Sequence, residues 1–154
     1  MKLRKKIFFA LLVVLVAIQF IQPARNKSSE ILSTDMTKTI KVPGNVQGIL
    51  KSGCYDCHSN NTNYPWYSRI QPFGWLLAGH IKRGKADLNF SEFGSYSVRV
   101  QISKLSEIAN SIKDGTMPLN SYTIIHKNAK LSKEEKALLI DWAGRAKEGL
   151  KLNN

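Results

Sequence analysis

Cysteine is scarce in this chain: Cys54 and Cys57 are the only two. No further pair exists to staple a small fold, so the body depends on its own apolar core or on a bound group. Acidic residues are also few, 11 against 23 Lys and Arg, for a net charge of +12. Four of those charges, Lys2, Arg4, Lys5 and Lys6, crowd the N-terminus, leaving +8 for the rest. Such a surplus suits an acidic partner or anionic lipid headgroups. Nucleic acid is set aside because no nucleic-acid motif accompanies the charge. Paired carboxylates at catalytic spacing, a Gly-rich phosphate loop and a nucleophile motif are all missing, so hydrolysis and phosphoryl transfer lack machinery. No internal repeat and no sustained strand alternation is present, which leaves an all-α reading.

What the chain does have is Gly53-Cys54-Tyr55-Asp56-Cys57-His58, a C-x-x-C-H motif. Two thiols three positions apart can form thioethers with the two vinyl groups of one porphyrin. A histidine beside the second thiol is then held under the ring, where its imidazole can bind the iron. Other chemistries use the same pair of cysteines. A dithiol redox couple sits at a helix start in a βαβ context, and no β pattern surrounds Cys54. A structural zinc site takes four ligands; with no third cysteine it would need His80 and His126, which lack the H-x3-5-H spacing of a finger. A plain disulfide across so short a loop would be strained. The motif predicts one covalent haem c, with Cys54 and Cys57 as attachment points and His58 as proximal iron ligand. A zinc-structured interaction module is the alternative.

The chain of 154 residues divides into three stretches. Residues 1–25 read as a signal anchor or signal peptide: a cationic start, then an apolar run from Ile7 to Ile21 broken only by Gln19. That run of 15 residues would span roughly 22 Å, short of the ~30 Å hydrocarbon core. The shortness favours a cleaved signal; the lack of a clear A-x-A site, and snorkelling Lys5 and Lys6, favour an uncleaved anchor, which is preferred here. Either way the body is exported. Residues 26–42 are polar and read as a tether. Residues 43–150 form the domain. Val46, Ile49 and Leu50 predict a short helix leading into the motif. Three aromatics in Tyr64-Pro65-Trp66-Tyr67-Ser68 are candidates to pack on the ring, and Arg69 to pair with a propionate. A helix is expected over 75–83, ended by Gly84. The apolar steps from Val98 to Ile112 predict an amphipathic helix stopped at Asp114-Gly115. Ser132 with Glu135 makes a capping box that opens a last helix bearing Leu138, Leu139, Trp142 and Ala146.

Taken in order, Cys54-Tyr55-Asp56-Cys57-His58-Ser59, Tyr64-Pro65-Trp66-Tyr67-Ser68, Leu88-Asn89-Phe90-Ser91-Glu92, Met117-Pro118 and Tyr122 resemble the bacterial haem-binding domain family typical of Bacteroidetes, over residues 43–149. Phe93 stands where relatives often have tryptophan. The resemblance implies a c-type haem domain in the cell envelope, with the all-α fold of a small cytochrome c around one haem. The spacing to Met117 is also similar to that in small cytochromes c with His and Met axial ligands. Met117 lies on a loop constrained by Pro118 and is the first candidate for the distal position. His80, on an apolar helix face, is the second. His126 lies in a polar stretch and is expected to be solvated. An open five-coordinate iron would instead point to sensing or peroxide chemistry.

The expected function is one-electron transfer, without enzymatic turnover, by a domain tethered to the inner membrane and facing the periplasm. Its expected partner is a periplasmic or membrane redox protein, with acidic surface. A haem sensor or peroxidase-like protein with an exchangeable sixth site is the alternative.

Overall fold

The computed structural model describes residues 2–28 and 30–152, and among these there are helices and no strands. Eight α-helices follow in order: α1 Leu3–Ile18, α2 Met36–Thr39, α3 Gly44–Gly53, α4 Tyr55–His58, α5 Phe73–Asp87, α6 Val98–Lys113, α7 Asn120–Thr123 and α8 Lys133–Leu152. Short 3-10 turns at Trp66–Arg69, Phe90–Ser95 and Lys127–Ala129 connect them.

The core is built where the helical spacing placed apolar residues. Val46, Ile49 and Leu50 are all buried on α3. They meet Leu105 and Ile112 of α6, and Leu139, Trp142 and Ala143 of α8. Phe90 and Phe93, from the 3-10 turn after α5, fill the centre at 2% and 0% exposure. Each such side chain contributes ~1.5–3 kcal/mol by leaving water. α6 and α8 pack along one another. The capping box forms: Ser132 N–H donates to Glu135 Oε2 at 2.8 Å and Glu135 N–H to Ser132 Oγ at 3.1 Å. α6 stops as the sequence suggests, with Gly115 at φ +70°, the left-handed region that a helix end uses.

Two expectations change. α5 does not end at Gly84; it runs from Phe73 through Asp87. A Cβ at Gly84 would lie 2.7 Å from the carbonyl oxygen of Cys57, so this glycine serves close approach between α5 and the motif rather than helix termination. Residues 26–42 are not a free tether. Met36 is wholly buried in the core, Asp35 caps α2 by accepting from Thr37 N–H at 2.9 Å, and Trp142 Nε1–H donates to Lys41 O at 3.1 Å. Polar composition hid the apolar side chains that dock, Met36 in the core with Ile40 and Val42 packed against it.

Of residues 1–25, read above as a signal anchor or signal peptide, residue 1 lies outside the described residues. The apolar helix α1 is 16 residues long with none buried, and no helix among the described residues is long and apolar enough to cross a membrane. Past the end of α1, Gln19 and Gln22 meet the loop before α5: Gln71 N–H donates to Gln19 Oε1 at 2.9 Å, and Gln22 Nε2 donates to Arg69 O at 3.1 Å.

Candidate functional site

The C-x-x-C-H segment is one tight turn. Cys54 closes α3, its N–H donating to Leu50 O at 2.9 Å. Its own carbonyl accepts from Cys57 N–H at 3.2 Å and His58 N–H at 3.0 Å, which winds Tyr55–His58 into α4. Asp56, inside the motif, holds this turn from the outer side. Its carbonyl accepts from Thr62 Oγ1 at 2.6 Å, and its Oδ1 from Asn63 N–H at 2.8 Å. From the inner side, Gly84 lets α5 come against the Cys57 backbone.

His58 donates from Nδ1–H to Leu88 O at 3.0 Å. A bond of this kind fixes the tautomer and leaves Nε2 with a lone pair, the state a metal ligand requires. The His58 ring lies 5.9 Å from that of Phe90, which stacks on Tyr55 at 5.0 Å.

Two cavities adjoin the turn. One, of about 270 Å³, is walled by Leu50, Cys54, Leu88, Phe90, Ile108 and Ile112. The other, of about 260 Å³, is walled by Cys57, His80, Arg83, Gly84, Leu119 and Tyr122. His58 and Met117 line both, together with Gly53, Asp87 and Pro118. Each thiol therefore faces one cavity, while the imidazole and the thioether are shared. The first cavity is mainly apolar; Lys104 and Glu107 stand at its edge, joined by a 2.7 Å ion pair.

Both cysteines are free thiols. Burial, and then the neighbouring Cys57, push Cys54 up to about 12; burial, and then Asp56, push Cys57 up to about 11. A redox dithiol needs the opposite shift. Among the described residues, no group of three His, Cys, Asp or Glu stands where a metal ion alone could be held. The zinc-structured module therefore lacks its ligands.

Several sequence-predicted residues lie elsewhere. His80 does line the second cavity with Met117, so the structure brings both distal candidates to one place. His126 is not simply solvated: it shares a 2.8 Å hydrogen bond with Tyr67 Oη and stacks on Tyr122 at 4.2 Å. Tyr122 in turn donates to Asp56 Oδ2 at 2.6 Å. Burial and this bond push the Tyr122 phenol well up. The aromatic block does not line either cavity. Tyr64 Oη accepts from Asn26 N–H at 2.7 Å, Trp66 is 79% exposed, and Tyr67 serves His126. Arg69 is exposed, away from both cavities, where Arg83 and Lys104 bring positive charge instead. The Asp56–Tyr122–His126–Tyr67 chain was missed, since its members lie up to 70 positions apart with no shared local pattern.

Comparison with known proteins follows the same line. A cytochrome c peroxidase, Ccp, of Escherichia coli (strain K12) is 27% identical over 124 residues, covering 79% of this chain and 26% of that protein. The chain thus spans about a quarter of the length of that curated relative. No solved structure matches it. Residues 13–145 match the haem-binding domain family, which includes the motif turn, α5, α6 and the Met117 loop, so this chain belongs to the haem-binding domain family.

Proposed function

We propose that the chain is a c-type haem protein that carries single electrons, with Cys54 and Cys57 as thioether attachment points, His58 as proximal ligand and Met117 as distal ligand. The observation that carries this reading is the sharing of the cavities: His58 and Met117 line both, while each thiol lines one. The residues fit the group. Two neutral thiols lie one turn apart, a histidine keeps Nε2 available, and an apolar wall excludes water.

A haem bound here supplies one-electron iron chemistry, at a potential that a thioether ligand raises relative to a second imidazole. The chain's own residues supply the rest. Leu88 O orients His58 through Nδ1–H. Leu50, Phe90 and Ile112 provide a dry seat. Arg83 and Lys104 offer cations for the ring's carboxylates. α1, cationic at its start and apolar along its length, holds the domain at the outer face of the inner membrane. The partner is then a redox protein at that membrane or in the periplasm, and the basic surface favours an acidic one.

A second reading has its own support. His80 lines the same cavity as Met117, and the E. coli relative is named a peroxidase. In that reading the sixth position exchanges. Intact mass and a reduced-minus-oxidised spectrum of the exported chain test the attachment: haem removable by acid acetone would overturn it. Spectra of Met117→Ala and His80→Ala identify the distal ligand. Rapid carbon monoxide binding by the reduced wild type would refute the carrier and favour exchange.

A further inference from the structure

The junction between α1 and the domain carries a set of apolar side chains that the fold leaves uncovered. Phe20 and Ile21, just past α1, are 83% and 62% exposed. Ile70, Phe73 and Leu76 are 43%, 54% and 59% exposed. Hydrogen bonds tie the two groups together. Beyond the glutamine contacts already described, Gln71 Nε2 donates to Gln22 Oε1 at 3.1 Å and Gln19 Nε2 to Gln71 O at 3.2 Å. Trp75 Nε1–H donates to Ile21 O at 2.8 Å. The apolar side chains therefore form one collar around the base of α1 and cannot separate from it without breaking these bonds.

We propose that this collar is inserted into the lipid surface from which α1 emerges, so that the domain sits in the headgroup layer at a fixed orientation. This rests on the reading of α1 as a membrane anchor. Length is what decides for lipid over a protein partner. The apolar run of residues 7–21, with Arg4, Lys5 and Lys6 outside it, reaches about 22 Å. The hydrocarbon core is ~30 Å thick. A shortfall of about 8 Å is met when the collar sinks by that amount, and interfacial apolar faces are buried roughly 5–10 Å deep. Trp75 stands at the same level with its N–H bonded, as an indole at a membrane interface is. The cationic residues Lys2, Arg4, Lys5 and Lys6 mark the opposite end of α1, where anionic headgroups of the other leaflet suit them.

The collar also sets the height of the haem site. His80, on the second cavity wall, lies seven residues beyond Phe73 on α5 and on the same helix face. That is about 10 Å along the axis. The cavity wall at His80 thus lies no more than about 10 Å from the collar residue Phe73 along α5.

The test uses the full haem-loaded chain in vesicles of phosphatidylethanolamine and phosphatidylglycerol that carry a diazirine on the acyl chain. After irradiation, lipid adducts are mapped by mass spectrometry. Adducts are expected on residues 7–18, on Phe20 and Ile21, and on residues 70–76, with none on the exposed Ile31 or Leu152. The variant Phe73→Ser/Leu76→Ser should keep the α1 adducts and lose those at 70–76. Adducts on α1 alone would overturn the collar and leave the anchor standing. Chain-to-chain cross-links at 70–76 in place of lipid adducts would also overturn it. No lipid adduct anywhere would remove the anchor and the collar together.

Discussion

Gly84→Ala should destabilise the domain even though alanine is the better helix former. Gly84 lies inside α5, where propensity alone favours alanine by ~0.5–1 kcal/mol. The added Cβ would stand 2.7 Å from Cys57 O, and 3.2 Å from both the carbonyl carbon and the Cβ of Cys57. These atoms cannot swing aside as a long side chain can. They belong to a turn fixed by the bonds of Cys54 O, Thr62 and Leu88 O described above. Forcing a methyl into such a site costs ~1–3 kcal/mol. The net loss expected is about 0.5–2 kcal/mol. Gly144→Ala in α8 is the matched control, because nothing lies within 4 Å of its added Cβ. It should stabilise by ~0.5–1 kcal/mol. The helix propensity gain cancels between the two variants, so their difference isolates the steric contact. Denaturant midpoints of both, prepared with equal haem content, measure it. α5 also carries His80 and Arg83, so Gly84→Ala should shift the haem spectrum while Gly144→Ala should not. Equal gains in stability from the two substitutions would refute the close approach of α5 to the motif.

Tyr122→Phe removes the bond to Asp56 Oδ2 and should cost ~1–3 kcal/mol, while Asp56→Asn, which keeps an acceptor, should cost less; denaturant unfolding of both variants checks the order. Met36→Ala should cost ~2–5 kcal/mol by cavity formation, a loss that a free linker residue would not show in a thermal melt. In the haem-free chain, alkylation of Cys57 should stay slow near pH 8 and accelerate only toward about 11. The folded value lies above the ordinary 9.0, so the thiol's contribution to stability is present below pH 9 and is lost as pH rises through the folded value; melts at pH 8 and 10.5 read the sign.

Local patterns were legible where a local rule decides the outcome. The i, i+3, i+4 spacing of Val46, Ile49 and Leu50 specified the buried face of α3, and the Ser132–Glu135 pair specified the start of α8. Residues of the C-x-x-C-H motif and Met117 line the two cavities. Long-range partners were not legible. Glycine at position 84 looks the same whether it ends a helix or admits a backbone, and only the position of Cys57 distinguishes them. Composition averaged over 26–42 reports solvation and misses Met36, because burial depends on a few side chains and not on the mean. Tyr64, Trp66 and Tyr67 carry the apolar area of ring-packing residues, yet Leu88 and Phe90 line the cavity beside the motif, where Leu88 O accepts from His58.

The same bonds bear on the choice between electron transfer and exchange at a sixth position. Asp56 stands between the two cysteines of the motif, and Tyr122 stands five residues beyond Met117. Their 2.6 Å hydrogen bond therefore ties the proximal turn to the loop that carries the proposed distal ligand. His126 stacks on the other face of the same tyrosine and is itself held by Tyr67. Swinging Met117 away with its loop would break the bond to half-buried Asp56 and part that stack, at about 1 kcal/mol for the hydrogen bond. An exchanging site gains from a loop that opens at little cost; a carrier gains from one that does not move between oxidation states. The placement of Tyr122 favours the carrier, and His80, on rigid α5 rather than on that loop, is the group that would take the iron if the tie were cut.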